Sequence, residues 1–461
     1  MLFNSVEEIY SSTGSISKID GSLRVNDAAA LRREGIDRLI YNAVFNENNA
    51  IRAETRWVIK STAASLGVKL ASIQGLYEAM GRGEVKGFTV PAINIRGITY
   101  DVARAIFRAA LSNNSGAFIF EIAKSEIGYT GQSPSEYTAA IIAAAIKEGY
   151  AGPVFIQGDH FQLKAAGFLE DREKEVAGVK KLIESALNAG FYNIDIDAST
   201  LVDLNKANVM EQQRPNFEVT AELTDFIRSH EKEGITVSIG GEIGEVGGKN
   251  STEAELRAFM DGYLGILKEG VKGISKISVQ TGTSHGGVPL PDGTVAKVKV
   301  DFDTIERLSA VSREVYGLSG VVQHGASTLP DDAFHVFVER NASEVHLATG
   351  FQNMIYDSQH LPSELKSDIY AYILENLSGE RKEGETDEQF IYKTRKKGFG
   401  PFKRRFWDIA PEQLEAIRGE LEERFVFLFK KLNAVNTTGV VKEWVATPDT
   451  PFTVEKELDI L

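Results

Sequence analysis

At 461 residues the chain is long enough for two or three domains, or for one large α/β barrel with extensions. Its composition, 43% hydrophobic and 25% charged, is ordinary for a globular protein, and a net charge of −14 argues against non-specific nucleic-acid binding. Cysteine is absent, which excludes a disulfide framework, a thiolate metal site and a cysteine nucleophile, and leaves His and carboxylate as ligands for any metal.

The first residues, MLFNSVEEIYSSTG, lack a basic stretch and a long apolar run, so no signal peptide is read there. No stretch reaches the ~18 apolar residues that a membrane span needs. A cytoplasmic protein without a membrane or nucleic-acid partner is expected. Residues 1–84 read as a helical, polar-surfaced extension. Asn26 is the expected N-cap of DAAALRREGIDRLIYNAVF, and Ala53–Leu66 and Ser72–Met80 continue the helical period.

From Gly87 the pattern changes. GFTVPAINI, GAFIFEIA, GPVFIQGD, NIDIDAST, ITVSIGGEIG, ISKISVQTG, LSGVVQHGAS and SEVHLATG read as eight strands. Amphipathic segments separate them, among them Ser133–Glu148, Glu173–Ala189, Asn216–Glu233 and Thr252–Glu269. Strand and helix in alternation predict a (β/α)₈ TIM barrel over 85–360. A doubly wound open sheet is the alternative. The barrel is preferred because polar residues collect after most of the strands, as on the C-terminal face of barrels. Residues 361–461 form a second helical extension, with helices expected at Pro362–Leu377, Asp387–Lys397 and Pro411–Leu432. Its basic run KTRKKGFGPFKRR reads as a solvated or subunit-facing stretch, or else as a phosphate clamp supplied to a site.

Three strands deliver a His at or near their C-terminal ends: His160 in GDHFQ, His285 in GTSHGG and His324 in QHGAS. One such His is usually a satisfied polar group. Three in the same context point to a metal site, because imidazole is the commonest transition-metal ligand at neutral pH. Asp159 stands beside His160, as a proton carrier or as a turn cap. Glu242, in the glycine-rich GGEIGEVGGKN, ends a strand and can join the metal, and the glycines after it suit a mobile lid. The spacing of these glycines does not fit a dinucleotide fingerprint. Asp195 and Asp197 share one face of NIDIDAST, so one of them is a candidate carboxylate near the metal. Gly286, Gly325, Ala326 and Ser327, with HLATG at 346–350, are small or hydroxyl residues where barrels bind phosphate, and equally where tight turns need glycine. His230, His335 and His360 are given no role.

VPAIN, GDHFQ, DIDAS, GEIGEVGG, GTSHGG and QHGAS, in this order, resemble the class II, metal-dependent fructose- and tagatose-bisphosphate aldolases over about residues 85–357. The resemblance implies that His160, His285 and His324 hold a catalytic Zn²⁺, with Glu242 and Asp197 as additional or alternative ligands. It implies that Asp159 handles the C4 hydroxyl proton. Asn94, Gly286, Gly325, Ala326, Ser327, His346, Ala348 and Thr349 would contact the substrate or its phosphate, with a monovalent cation, K⁺ or Na⁺, nearby. The implied reaction is cleavage of fructose 1,6-bisphosphate, a small-molecule sugar phosphate, through a metal-stabilised enediolate, by a homo-oligomer, dimer or tetramer.

Three features depart from the family pattern. Lys249 and Asn250 follow Gly248 where family members carry acidic residues, one of which moves the C1 proton; Glu253 is a possible substitute. His346 stands where an Asn is usual. The two extensions have no counterpart in short members. The alternatives are therefore a metal-dependent ketose or ketose-phosphate C4 epimerase, a tagatose-bisphosphate aldolase, and an accessory aldolase subunit.

Overall fold

The computed structural model describes residues 2–19, 21–244, 248–282 and 300–459. Eight parallel strands form the centre: β1 (Val90–Asn94), β2 (Ile119–Ala123), β3 (Gly152–Gln162), β4 (Asn193–Asp197), β5 (Ser238–Glu242), β6 (Lys276–Val279), β7 (Val321–Gln323) and β8 (Glu344–Leu347). Each pairs with its neighbours in chain order, and β8 pairs with β1, with Val345 opposite Pro91. The sheet is therefore closed, and the fold is a (β/α)₈ barrel with helical extensions. All eight expected strands are present. They were legible because parallel strands covered on both faces are buried along their length, which selects apolar β-formers such as the Val and Ile of β1 and β2.

The barrel interior is not an apolar plug. Glu121, Gln157, Asp195, Lys276, Glu344 and His346 all point into it and are buried. Lys276 Nζ donates to Glu344 Oε1 at 2.6 Å and to Gln157 Oε1 at 2.7 Å, and lies 3.0 Å from Asp195. Tyr77, from the N-terminal extension, donates to the other oxygen of Glu344. The glycine at 240 in β5 makes room for this network, since a Cβ there would sit 2.3 Å from Asp195 Oδ1 and 3.0 Å from Lys276 Cε.

The extensions pack onto the barrel and onto each other. The helix Asn49–Ser65 lies against the helix Pro134–Glu148, and the helix Pro411–Lys431 against Thr99–Ser112. Near the C-terminus the helix Val454–Asp459 returns to Asn49–Ser65, where Glu457 and Lys60 form a fully buried pair at 2.6 Å. Trp57 Nε1 donates to the Phe452 carbonyl at 2.9 Å.

Several local expectations are corrected. Residues 1–84 are not all helical: Ile16–Ile19 and Ser22–Val25 form an antiparallel pair, and Val68–Leu70 adds a strand to the start of β3. These segments are too short to show a period. Asp27, not Asn26, caps the first long helical stretch, accepting from the N–H groups of Ala29 and Ala30 at 2.9 Å. The helix expected from Asn216 begins at Val209, capped by Asn208, and carries Pro215 inside it. That proline sits in the second turn, where the packed face of the helix outweighs the lost backbone bond.

Candidate metal centre and active site

Adjacent residues of a regular strand face opposite ways, yet Asp159 and His160 both reach the same cavity. The cause is a bulge in β3. Its register against β4 shifts between Gly158 and Phe161, and His160 adopts φ of 43°, a left-handed conformation that a non-glycine residue rarely takes. A side chain at Gly158 would not be tolerated there, because its Cβ would lie 2.4 Å from the Phe161 ring. Strain of this kind persists where the surroundings over-determine it, and clusters at functional sites.

His160 Nδ1 lies 3.0 Å from Asp197 Oδ2. Gln162 Nε2 donates to the same oxygen at 2.6 Å, and the Ser199 N–H and hydroxyl donate to the other at 3.1 and 2.7 Å. Burial alone would raise the Asp197 carboxyl, but these bonds hold it below the usual carboxylate range. His324 follows β7, with Nε2 3.0 Å from Ser278 Oγ and 3.2 Å from Glu242 Oε2. The Gly244 N–H donates to Glu242 Oε1 at 2.8 Å. The His160 and His324 rings are 4.3 Å apart, centre to centre.

His160, His324 and Glu242 each offer a ligand atom, all within 4.8 Å of one another. Two imidazoles and one carboxylate, with a carboxylate behind one imidazole, form a donor set that suits a catalytic divalent ion with an open position. Burial, with the charge of Asp197, pushes the Glu242 carboxyl up to about 8. His160 moves up as well: burial opposes protonation, but Asp159, Asp197 and Glu242 overcome it. A cation is what this pocket favours electrostatically. His285 and Gly286 lie outside the described residues. Asp197 meets His160 directly, in the position of an orienting group.

One layer deeper, Asp159 Oδ1 is 3.3 Å from His346 Nδ1, 3.8 Å from His160 Nε2 and 4.0 Å from His324 Nδ1. His346 also has Glu121 Oε2 at 3.0 Å and Glu344 Oε1 at 2.5 Å. Burial would favour its neutral form, but Glu121 and Asp159 raise it well above the ordinary imidazole value. Carboxylates on both ring nitrogens repel a phosphate, so this setting suits a proton-holding neighbour of Asp159 better than an anion contact.

Asp159, His160, His324 and Glu242 open on a cavity of ≈ 780 Å³. Gly325, Ser327, Ala348 and Thr349 line it, whereas Ala326 is fully buried and does not. Gly325 has φ of 71°, and the Gly350 N–H donates to Ser327 Oγ at 3.0 Å. Asn94, at the end of β1, donates to Glu126 Oε2 at 2.6 Å. Glu126, Arg96 and Lys396 also line the cavity. Sequence reading missed Glu126 and Arg96, along with Glu121, Lys276 and Glu344, and offered Lys396 only as part of a basic run read as solvated, as subunit-facing or as a phosphate clamp. A charge in the middle of an apolar strand, as in IFEIA, was the available signal for Glu121; Lys276 opens its strand and carries no such signal.

Among the described residues no helix is long and apolar enough to cross a membrane. A family model described as "Fructose-bisphosphate aldolase class-II" matches residues 76–397. Comparison with curated proteins finds no match. Among solved structures, a glycerol complex of the fructuronate-tagaturonate epimerase UxaE from Cohnella laeviribosi aligns with a TM-score of 0.58 at 13% identity, covering 92% of this chain and 90% of its own. The fructose-bisphosphate aldolase from Campylobacter jejuni aligns at 0.46 and 18% identity, covering 80% and 96%. A putative fructose-1,6-biphosphate aldolase from Coccidioides immitis aligns at 0.44 and 17% identity, covering 79% and 96%.

Proposed function

The chain belongs to the class-II fructose-bisphosphate aldolase family, and on that premise we propose that it is a metal-dependent enzyme that breaks and re-forms a carbon–carbon bond of a ketose, with inversion at C4 as the net reaction. The observation that carries this reading is the convergence of His160, His324 and Glu242 beside the buried carboxyl of Asp159. Zinc suits this donor set and, when bound, supplies a Lewis acid that polarises the C2 carbonyl and offsets the charge that develops on cleavage.

Asp159 accepts the C4 hydroxyl proton as the C3–C4 bond breaks and its electron pair moves toward C2. His346, 3.3 Å away and raised well above the ordinary imidazole value, places positive charge beside Asp159. Walls around the cavity retain the aldehyde fragment, which turns and presents its other face to C3. When the bond re-forms, Asp159 returns the proton to the C4 oxygen, now of opposite configuration. No proton is added to carbon, and no further reactant is needed.

An aldolase, by contrast, must protonate the carbon left behind. The segment after Gly248 supports epimerisation over cleavage on this point. Lys249 Nζ pairs with Glu255 at 3.0 Å, and Asn250 donates to Asp301 at 2.9 Å. Glu253 is tied to Arg257 at 2.8 Å on the face of a helix. Among the described residues this segment brings no acid to the cavity; Glu245 lies outside them. Alignment along nearly the whole chain with a protein titled a fructuronate-tagaturonate epimerase also favours this reading.

The second reading is aldol cleavage of fructose 1,6-bisphosphate to dihydroxyacetone phosphate and glyceraldehyde 3-phosphate, favoured by the loops of Gly325, Ser327 and Thr349, whose residues suit a phosphate. One experiment separates the two. Zinc-loaded protein is incubated with fructuronate and, separately, with fructose 1,6-bisphosphate, while products are followed by NMR and released triose by a coupled dehydrogenase. A C4 epimer without triose, abolished by EDTA, supports epimerisation. EDTA-sensitive triose release supports the aldolase. Neither product with metal present refutes both.

A further inference from the structure

Lys396 comes from the C-terminal extension, two residues past the helix Asp387–Thr394, yet it lines the same cavity as Asp159 and His160. It is half-buried, and its Nζ lies 5.9 Å from the centre of the Tyr129 ring. The carboxylates around it are already engaged. Glu126 is bonded to Arg96 Nε at 2.7 Å, to Asn94 and to the Ala123 N–H at 2.8 Å, and Glu380 is paired with Lys397 at 2.5 Å. Lys396 itself has no ion-pair partner among the described residues.

Arg96 shares this wall. Besides Glu126, its guanidinium reaches Gln352 Oε1 at 2.8 Å and Thr349 Oγ1 at 3.3 Å. Two cations thus stand together against one carboxylate, on one side of a cavity that elsewhere is rich in carboxylates. Burial first, and then the charge of Arg96, press the Lys396 ammonium below its ordinary value, and the pull of Glu126 and Glu380 does not offset them. In a chain of net charge −14, such a spot is where a small anion is drawn.

We propose that Lys396 and Arg96 hold the anionic terminus of the substrate, a carboxylate or phosphate at the end of the ketose away from its carbonyl, so that the C-terminal extension completes the substrate site. This rests on the reading of the cavity as a ketose site. The order of groups supports the assignment. His160, His324 and Glu242 converge where the carbonyl end belongs, Asp159 stands next to them at C4, and Arg96 lies close enough to Asp159 to feel its charge. Arg96 and Lys396 line the same cavity as Asp159. Guanidinium and ammonium together suit either oxyanion.

Fructose, fructose 6-phosphate and fructuronate differ only at C6, which makes them the probes. Their affinities for the full-length protein are measured by calorimetry, for the wild type, Lys396→Met and Lys396→Arg, with thermal melts to show that each variant is folded. The expected result is that the wild type prefers one acidic sugar over fructose by about 10-fold or more, and that Lys396→Met removes about 10- to 100-fold of that affinity while leaving fructose binding unchanged. Lys396→Arg retains most of it. The acidic sugar preferred identifies carboxylate or phosphate as the ligand. A wild type that does not favour either anion, or a Lys396→Met variant that weakens fructose and the anions alike or neither, overturns the proposal. Anion preference that depends on Lys396, without epimer or triose formation, leaves the anion seat standing and refutes the reaction. Turnover with an anion affinity indifferent to Lys396 refutes the seat alone.

Discussion

His160 Nδ1 sits 3.0 Å from Asp197 Oδ2, a contact in which the carboxylate accepts the Nδ1 proton, so that Nε2 is the nitrogen a cation binds once it is deprotonated. Asp197 is itself held by Gln162 and Ser199, so the imidazole is backed by a rigid partner. Removing such a partner costs about 10- to 100-fold in metal affinity. Asp197→Ala is expected to fall in that range when zinc is titrated against a chromophoric chelator, and Asp197→Asn to lose less, because its amide oxygen still accepts. Complete loss of binding in Asp197→Ala would instead make Asp197 a ligand in its own right. Unchanged affinity would mean that the contact orients nothing.

Metal binding and protons compete for the same groups. The Glu242 carboxyl is pushed up to about 8, by burial first and then by Asp197, and His160 is raised above the ordinary imidazole value. Both bind protons more tightly folded than unfolded. Their contributions to the metal-free protein are therefore complete below the unfolded values and fade as pH rises through the folded ones. The lowered Asp197 has the opposite sign, but it acts near and below its unfolded value of 3.8. Between about pH 5 and 8 the metal-free protein should lose stability from Glu242 and His160, while the metal, which needs both deprotonated, binds better. The increase in melting temperature caused by a fixed excess of zinc is expected to grow steadily from pH 5.5 to 8. A shift that is flat, or that shrinks, would show that these two groups do not hold the ion.

The eight strands could be read from the chain because burial on both faces writes long apolar runs between glycines, and because each run ends in polar residues. His160, His324, Glu242 and Asp159 were legible for the same reason: they stand at strand ends, where little but a site calls for them. What could not be read depends on contacts between distant segments. Asp159 and His160 share a cavity only because β3 bulges and His160 takes a positive φ. Lys276, Glu344 and Gln157 meet across the barrel from β6, β8 and β3, and no local pattern encodes that meeting. Lys396 reaches the cavity only after the C-terminal extension has packed against the barrel. The basic run around it reads equally as a solvated or subunit-facing stretch or as a phosphate clamp, and only the fold distinguishes this lysine from its neighbours.

Asp159 is 5% exposed and meets three imidazoles within 4.0 Å; it stands outside the trio of His160, His324 and Glu242, and forms a second group of potential ligands with His324 and His346. Its replacement by Asn keeps the volume and removes the proton-accepting function. Asp159→Asn should bind zinc within a few-fold of the wild type and melt at a similar temperature, yet turn over about 10²- to 10⁴-fold more slowly, the usual contribution of a general base. Near-normal turnover would move the proton transfer to another group. Loss of zinc would mean that Asp159 belongs to the metal's own coordination.

Lys276 is, among the described residues, the one ammonium within the buried network of the barrel floor, and it bridges Asp195, Glu344 and Gln157 with no exposure to solvent. Burial would lower its pKa, but Asp195 and Glu344 raise it, so it stays charged. Lys276→Met removes that cation and leaves Asp195 and Glu344 to repel each other in a dry interior, with only Tyr77, Gln157 and His346 to answer them. Breaking a buried pair from one side costs about 3–5 kcal/mol. Urea unfolding of Lys276→Met should report a loss of that size, and the added change Glu344→Gln should recover part of it by removing one uncompensated charge. A loss below about 1 kcal/mol would mean that protonation of Asp195, already raised to about 6, absorbs the missing charge. In that case the destabilisation should appear at pH 8 and vanish near pH 5.5.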